Sequence, residues 1–115
     1  MNTMIEQLRT VLERLASAPE EQVEYLVRLG VAPLTDELAL DLDDVFPMVR
    51  TSLPPTATAA VAAVDKALDS MSGSERARLW RVEALFTAPE WDNVRRLARD
   101  ALEQLSKLHP RSSGH

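Results

Sequence analysis

Acidic side chains are concentrated in one short stretch of the chain, residues 36–44. Five of its nine residues are carboxylic acids, namely Asp36, Glu37, Asp41, Asp43 and Asp44. Clustered carboxylates can bind a divalent cation, and the last three have a spacing that resembles part of a calcium loop. A calcium loop also needs a glycine at its turn and a glutamate at its twelfth position, and both are absent here. We therefore expect no metal site, and the acids become candidates for a surface that binds another protein.

The spacing of the apolar residues predicts that this stretch is a helix over residues 35–46, with Thr35 as its cap and Pro47 after its end. Leu40 falls on the side opposite the apolar stripe, among the acids. Acids near the C-terminal end of a helix oppose its dipole, and like charges on one face repel, so the arrangement costs stability and favours a binding role. The candidate partner-binding residues are Glu37, Leu40, Asp41 and Asp44.

Two interpretations of this surface remain open. In the first, Leu40 and the surrounding acids dock a basic protein partner that offers an apolar pocket. In the second, the acids form a solvated face and a neighbouring helix covers Leu40. A substitution separates them, because a change at Leu40 would abolish binding in the first case and would lower stability in the second.

A second candidate site combines arginines with a tryptophan. Few acids lie one helical turn from these arginines, Glu75–Arg78 being the clearest pair, so the remaining charges are free to bind an anion or to pair across an interface. One such interface would be a homodimer that pairs them with the acids of residues 36–44. At helical spacing, tryptophans also serve as core anchors. The residues of this site are Arg76, Arg78, Arg81 and Trp80.

The residues that most often carry catalysis are scarce. The chain has no cysteine and one tyrosine, and its two histidines, His109 and His115, both lie in the last seven residues. A nucleophile with an adjacent base therefore cannot be assembled from the usual groups. We expect a protein that is not an enzyme and that uses no cofactor.

Composition and charge restrict the class of partner. The net charge of the 115-residue chain is −5, and residues 1–58 hold ten acids against four bases. Nucleic-acid-binding proteins usually carry a basic surface, so this balance argues against them. Arginine-rich helices over residues 74–86 and 89–108 leave a DNA-binding regulator as the alternative. No apolar stretch is long enough to cross a membrane, and the N-terminus does not resemble a signal peptide. We expect a soluble, cytoplasmic protein.

Helical periodicity and punctuation extend over most of the chain, and no stretch alternates as a strand would. Ser/Thr-x-x-Glu capping boxes are expected at Thr3–Glu6, Ser17–Glu20, Ser72–Glu75 and Thr87–Glu90. The pattern predicts an all-α fold, a compact bundle of five or six helices in a single domain over residues 1–108, followed by a flexible tail at 109–115. The predicted helices are residues 4–16, 18–29, 35–46, 55–71, 74–86 and 89–108.

Several stretches occur together along nearly the whole chain: Tyr25-Leu26, Leu29-Gly30, the acidic residues 36–44, residues 68–73, and Leu79-Trp80 followed by residues 91–99. In this combination the chain resembles small, hypothetical helical proteins common in actinobacteria. The resemblance implies a cytoplasmic, actinobacterial protein and assigns no activity and no site residue. The residues themselves favour a non-catalytic interaction protein, namely a small acidic adaptor, inhibitor or immunity-type protein.

Overall fold

The computed structural model describes residues 3–30 and 35–108, which form helices and connecting turns without a β-strand. Two 3₁₀ segments lie between the α-helices, at Arg50–Ser52 and at Ser74–Trp80. The predicted all-α fold is confirmed, and the predicted tail at 109–115 lies outside the described residues. The α-helices are α1 (Thr3–Ala16), α2 (Pro19–Leu29), α3 (Glu37–Val49), α4 (Pro55–Asp69), α5 (Val82–Thr87) and α6 (Pro89–Leu108).

The longest helix, α6, lies at the centre of the packing. It contacts both α4 and α1, and α1 also packs against α3. Ala98 and Ala101 are fully buried on α6, and such small side chains let neighbouring helices approach closely. Each fully buried leucine of α1 contributes about 1.5–3 kcal/mol through removal of its apolar surface from water. The buried α1 residues are Ile5, Leu8, Arg9, Val11, Leu12 and Leu15.

The helix α2 begins one residue later than the predicted Ser17–Glu20 box. Ala18 is the N-cap and is extended, as a residue before proline prefers to be, and Pro19 occupies the first helical position. The side chain of Glu21 accepts a hydrogen bond from the Ala18 N–H at 3.3 Å. Ser17 instead donates its hydroxyl to the carbonyl oxygen of Glu13 at 2.6 Å, so it closes α1.

The start of α6 has the same Ala-Pro sequence as the start of α2, and the predicted Thr87–Glu90 capping box is wrong because Thr87 belongs to α5. Thr87 is the last residue of α5, and its hydroxyl donates to the carbonyl oxygen of Glu83 at 3.1 Å. Ala88 is extended before Pro89, and its carbonyl oxygen accepts from the N–H of Trp91 at 3.1 Å. The proline therefore decides which residue is the cap, because it holds its own φ at a helical value and keeps the residue before it extended.

The helix α3 extends further than the prediction of 35–46. It continues through Pro47 to Val49, although proline cannot donate the backbone hydrogen bond of its turn. Thr35 does not cap α3 with its side chain. Its buried hydroxyl donates to the carbonyl oxygen of Trp80, while its own carbonyl oxygen accepts from the Leu38 N–H at 3.1 Å.

The single helix predicted over 74–86 is divided into two shorter helical segments. The chain forms the 3₁₀ segment Ser74–Trp80, an extended residue at Arg81, and then the short helix α5. Long-range hydrogen bonds explain the break. The indole N–H of Trp91 donates to the carbonyl oxygen of Leu79 at 2.7 Å, and Thr35 occupies the carbonyl oxygen of Trp80. Since α6 and Thr35 already bind these two carbonyls, a continuous α-helix is not needed to satisfy them.

Candidate functional site

A surface groove lies between α3 and the 3₁₀ segment Ser74–Trp80, and we call it the α3–Trp80 groove. Its volume is 460 Å³. One wall comes from the start and middle of α3, and the other comes from residues that follow α4. The groove thereby joins Leu40 of the first predicted site to Trp80 of the second. The lining residues are Asp36, Ala39, Leu40, Asp43, Ser72, Gly73, Ala77 and Trp80.

Trp80 forms a fixed wall of the α3–Trp80 groove. Its indole N–H donates to the carbonyl oxygen of Met71 at 2.9 Å. Its ring also meets the fully buried ring of Trp91 edge to face, with centroids 5.4 Å apart. A half-buried tryptophan held in this way loses little conformational freedom when something binds to it, and tryptophan is enriched among the residues that dominate binding energy.

Leu40 supplies the exposed apolar surface opposite Trp80. Its residue is 47% exposed, whereas Leu38 and Leu42 on the same helix are 1% and 0% exposed. No neighbouring helix buries Leu40 among the described residues, so the interpretation in which it is covered finds no support there. Ala39, Gly73 and Ala77 add small residues to the groove, and Gly73 has a φ of 115°, a conformation that favours glycine.

Carboxylates line the α3 side of the α3–Trp80 groove. Asp36 and Asp43 stand one turn before and one turn after Leu40, at the i, i+4 and i+7 positions of one helix face. Asp43 is also close to Asp65 of α4. Burial raises the pKa of Asp65, and the neighbouring carboxylate of Asp43 raises it further. Negative charge is therefore concentrated at this end of the groove, and the charge of Arg50 offsets it only in part, since the pKa of Asp65 stays raised.

The other predicted acids occupy a different face of α3. Asp41 and Asp44 line a separate depression together with Arg14 of α1. Glu37 belongs to the same side, because the hydrogen bond and charge of Asp41 raise the pKa of its carboxyl group. The predicted surface of Glu37, Leu40, Asp41 and Asp44 is thus divided by the structure. Only Leu40 lies in the α3–Trp80 groove, where Asp36 and Asp43 are the acids beside it.

Asp41 was predicted to bind a partner, but its side chain is bound by other residues of the same chain. Its side chain is 17% exposed, and its Oδ2 accepts a hydrogen bond from the hydroxyl of Tyr25 at 2.6 Å. Arg14 stacks over the Tyr25 ring at 4.1 Å from its centroid, and its Nη1 lies 3.7 Å from the same carboxylate oxygen. Burial and the charge of Asp41 together raise the pKa of Tyr25 to about 12. The cluster fixes α3 against α1 and α2.

The arginines of the second predicted site are separated from Trp80. Arg78 and Arg81 line another surface depression, of 410 Å³, at the start of α6, and acids Glu83 and Glu90 line it with them. Arg76 is exposed and lines neither this depression nor the α3–Trp80 groove. The four predicted residues therefore do not form one anion site. Arginines and glutamates share the depression, and the tryptophan belongs to the groove on α3.

Arg95 of α6 lies in the interior of the bundle, with 6% exposure. It donates to the side-chain oxygen of Gln22 at 3.1 Å and to Asp92 at 2.8 Å, and it also donates to the carbonyl oxygen of Leu85. Burial lowers the pKa of Arg95. A buried guanidinium of this kind binds helices together and is not available to a ligand.

Within residues 3–30 and 35–108, no three His, Cys, Asp or Glu side chains are grouped so that they could hold a metal ion. Among the helices of these residues, none has both the length and the apolar composition that a membrane span requires. Comparison of the chain with protein-family models, with curated proteins and with solved structures finds no match in any of the three.

Proposed function

We propose that this protein is a non-catalytic protein–protein interaction module, a small acidic adaptor, inhibitor or immunity-type protein that docks a partner through the α3–Trp80 groove. The observation that carries the proposal is that Leu40 and Trp80 line the same groove, with carboxylates beside them. An exposed leucine opposite a fixed tryptophan provides apolar surface that a partner can cover. The proposed docking surface is the side of α3 that carries Leu40, and not the whole acidic face that the sequence predicted.

The composition of the groove supports docking better than chemistry. Its polar lining consists of carboxylates and one serine, with no histidine or basic side chain to act with them. General acid–base catalysis needs a group whose pKa lies near the working pH and which lies within reach of a reacting atom. Protein interfaces instead combine an apolar centre with a polar rim, which is the arrangement around Leu40.

DNA binding, the alternative function predicted from the arginine-rich helices, gains no support from the site. A recognition helix must present its side chains to the major groove. On α6, Arg95 is buried, and Arg96 lies 3.8 Å from Asp100 and donates to Asn93. The same helix packs against both α1 and α4.

A comparison of two substitutions on the same helix tests the proposal. Leu40→Arg places a charge in the groove, and Met48→Arg makes a similar change at a residue that is 64% exposed and lies outside it. Each tagged chain would be used for affinity purification from its native host, with the captured proteins identified by mass spectrometry. We expect a partner that is retained by the wild type and by Met48→Arg and is lost with Leu40→Arg.

Circular dichroism melting curves provide the necessary control, since both variants should unfold at nearly the wild-type temperature. Equal capture by all three chains would show that the groove does not dock the partner. A large fall in melting temperature for Leu40→Arg alone would show that Leu40 is a packing residue, contrary to its exposure.

A further inference from the structure

The shape of the α3–Trp80 groove restricts what can occupy it. Leu40 and Trp80 are the large apolar residues of its lining, and Ala39, Gly73 and Ala77 are small. A concave surface of this kind is filled by a convex segment and not by an identical groove from a second copy. An amphipathic helix is the common occupant of a groove that offers an apolar strip along a helix.

The charges along α3 then define the occupant, and this inference rests on the proposed function. Asp36 and Asp43 are seven residues apart, which corresponds to about 10 Å along a helix. We infer that the occupant is a basic amphipathic helix of a partner protein. One apolar side chain would lie between Leu40 and Trp80, and two Lys or Arg residues, about two turns apart, would pair with Asp36 and Asp43.

The described residues leave these two acids available for such a partner. Neither Asp36 nor Asp43 has an ion pair within residues 3–30 and 35–108, where the carboxylates that pair with arginine are Glu6, Asp41, Asp92 and Asp100. Asp43 and Asp65 line one small depression, where the charge of Asp43 and its hydrogen bond to Asp65 raise the pKa of Asp65 and the charge of Arg50 opposes this. A cation of the partner beside Asp43 would relieve the remaining repulsion between the two carboxyl groups.

The second wall of the groove has no carboxylate, because its lining residues are Ser72, Gly73, Ala77 and Trp80. The attraction for cations therefore comes from the α3 wall alone. The lysines or arginines of the occupant must lie on the flank that faces α3.

Designed peptides test this inference without knowledge of the natural partner. The probe is a fluorescein-labelled, alanine-rich peptide of about 18 residues, long enough to be helical in water. It carries Lys at two positions seven apart and Leu at the fourth position after the first Lys, so that all three share one face. Two matched peptides replace both Lys with Glu, or the Leu with Ser. Binding to the full chain is measured by fluorescence anisotropy at low and at physiological salt.

We expect the Lys peptide to bind at least about tenfold more tightly than the Glu peptide at low salt, with the difference shrinking as salt rises. Asp36→Asn and Asp43→Asn should each weaken binding of the Lys peptide by about twofold to fivefold, the range of an exposed ion pair. Asp44→Asn is the matched control, because Asp44 is an exposed acid of α3 that lines a different depression. It should leave the affinity unchanged.

The outcomes separate this inference from the function on which it rests. Equal binding of the Lys and Glu peptides through Leu40 would overturn the basic partner and would retain the groove as a docking site. Equal binding of the Leu and Ser peptides would contradict both. If no peptide binds, and light scattering finds a dimer that Leu40→Arg dissociates, a second copy occupies the groove and the inference is wrong. If the chain neither binds a peptide nor forms a dimer, the inference of a basic helix is also wrong. The affinity purification with Leu40→Arg then tests the proposed function independently.

Discussion

Gln22 and Arg95 are 73 residues apart in the chain and meet in the core, where Nη2 of Arg95 donates to Oε1 of Gln22 at 3.1 Å. The amide nitrogen of Gln22 donates in turn to the carbonyl oxygens of Arg14 and Leu15, at 3.0 and 3.2 Å, so it binds the last turn of α1. Arg95 also donates to the carbonyl oxygen of Leu85 in α5. One polar network therefore connects α1, α2, α5 and α6.

Removal of Arg95 should be far more costly than removal of its neighbour. Arg95→Ala leaves the oxygens of Gln22 and Leu85 buried without a donor, and we expect a loss of about 3–5 kcal/mol in the free energy of unfolding. Arg96→Ala is the matched control, since Arg96 is 59% exposed and should change stability by about 0.5 kcal/mol or less. Urea denaturation measures both, and similar losses would contradict the network.

Two leucines of α3 provide a test of the groove by stability alone. Leu42 is fully buried, so Leu42→Ala removes core contacts and should cost about 2–5 kcal/mol. Leu40 is 47% exposed, and Leu40→Ala should cost less than about 1 kcal/mol. Thermal or chemical denaturation compares them directly. Equal losses would mean that a neighbouring element covers Leu40, which was the second interpretation of the sequence.

Periodicity predicted the parts of the fold in which local rules and packing agree. Five residues of α6 at helical spacing are fully buried, namely Trp91, Val94, Ala98, Ala101 and Leu105. Pro55 begins α4 and Gly30 is the C-cap of α2, which are positions that these residue types favour. Val27 shows where the argument fails, because its spacing on α2 predicts an inward side chain, and the residue is 60% exposed. A short helix at the edge of the bundle has too few packing neighbours to bury its whole apolar arc.

The break within residues 74–86 and the burial of Arg95 share a physical cause. Both depend on hydrogen bonds between segments distant in the chain, such as those from Trp91 to Leu79 and from Arg95 to Gln22. The charge pattern of a single helix does not show which arginine will meet a buried hydrogen-bond acceptor on another helix. The groove could have been found in part, since Asp36, Leu40 and Asp43 have the spacing of one helix face, but nothing in the sequence places Trp80 opposite them.

The single tyrosine of the chain permits a direct test of the Tyr25–Asp41 contact. The pKa of Tyr25 is raised to about 12, first by burial and then by its hydrogen bond to Asp41. Tyrosinate absorbance during an alkaline titration should therefore rise about two pH units later in the folded protein than in urea, where the midpoint is about 10. Asp41→Asn should lower the folded midpoint, and Glu24→Gln, an exposed change next to Tyr25, should not.

The same contact predicts how stability changes with alkaline pH. Because the pKa of Tyr25 is higher in the folded state than the ordinary value of 10.0, its contribution is fully present below about pH 10 and is lost as the pH rises towards 12. Tyr25→Phe removes this dependence, so wild type and variant should converge in stability across that window. A wild-type tyrosine that titrates near pH 10 while the protein remains folded would show that the hydroxyl is not held by Asp41.

Asp65 should oppose stability at neutral pH, in contrast to a carboxylate held by a cation. Its pKa is raised above the ordinary value of 3.8 by burial and by Asp43, so the folded state favours the neutral carboxyl group. The stability that this group contributes is therefore fully present below about pH 3.8 and is lost as the pH rises through the folded pKa. Asp65→Asn should therefore increase the free energy of unfolding at pH 7 by a few tenths to about 1 kcal/mol. The gain should vanish near pH 3, where the aspartic acid of the wild type is neutral like the asparagine of the variant.

The control for Asp65 is Asp100, an exposed acid of α6 that lies 3.8 Å from Arg96. Asp100→Asn removes a weak attraction and should leave stability unchanged or slightly lower at pH 7. Urea denaturation of both variants at the two pH values distinguishes repulsion from attraction. If Asp65→Asn destabilises the protein at pH 7, the carboxylate of Asp65 has a favourable partner. The end of the groove beside Asp43 would then already be neutralised, which would remove the electrostatic reason for a basic occupant there.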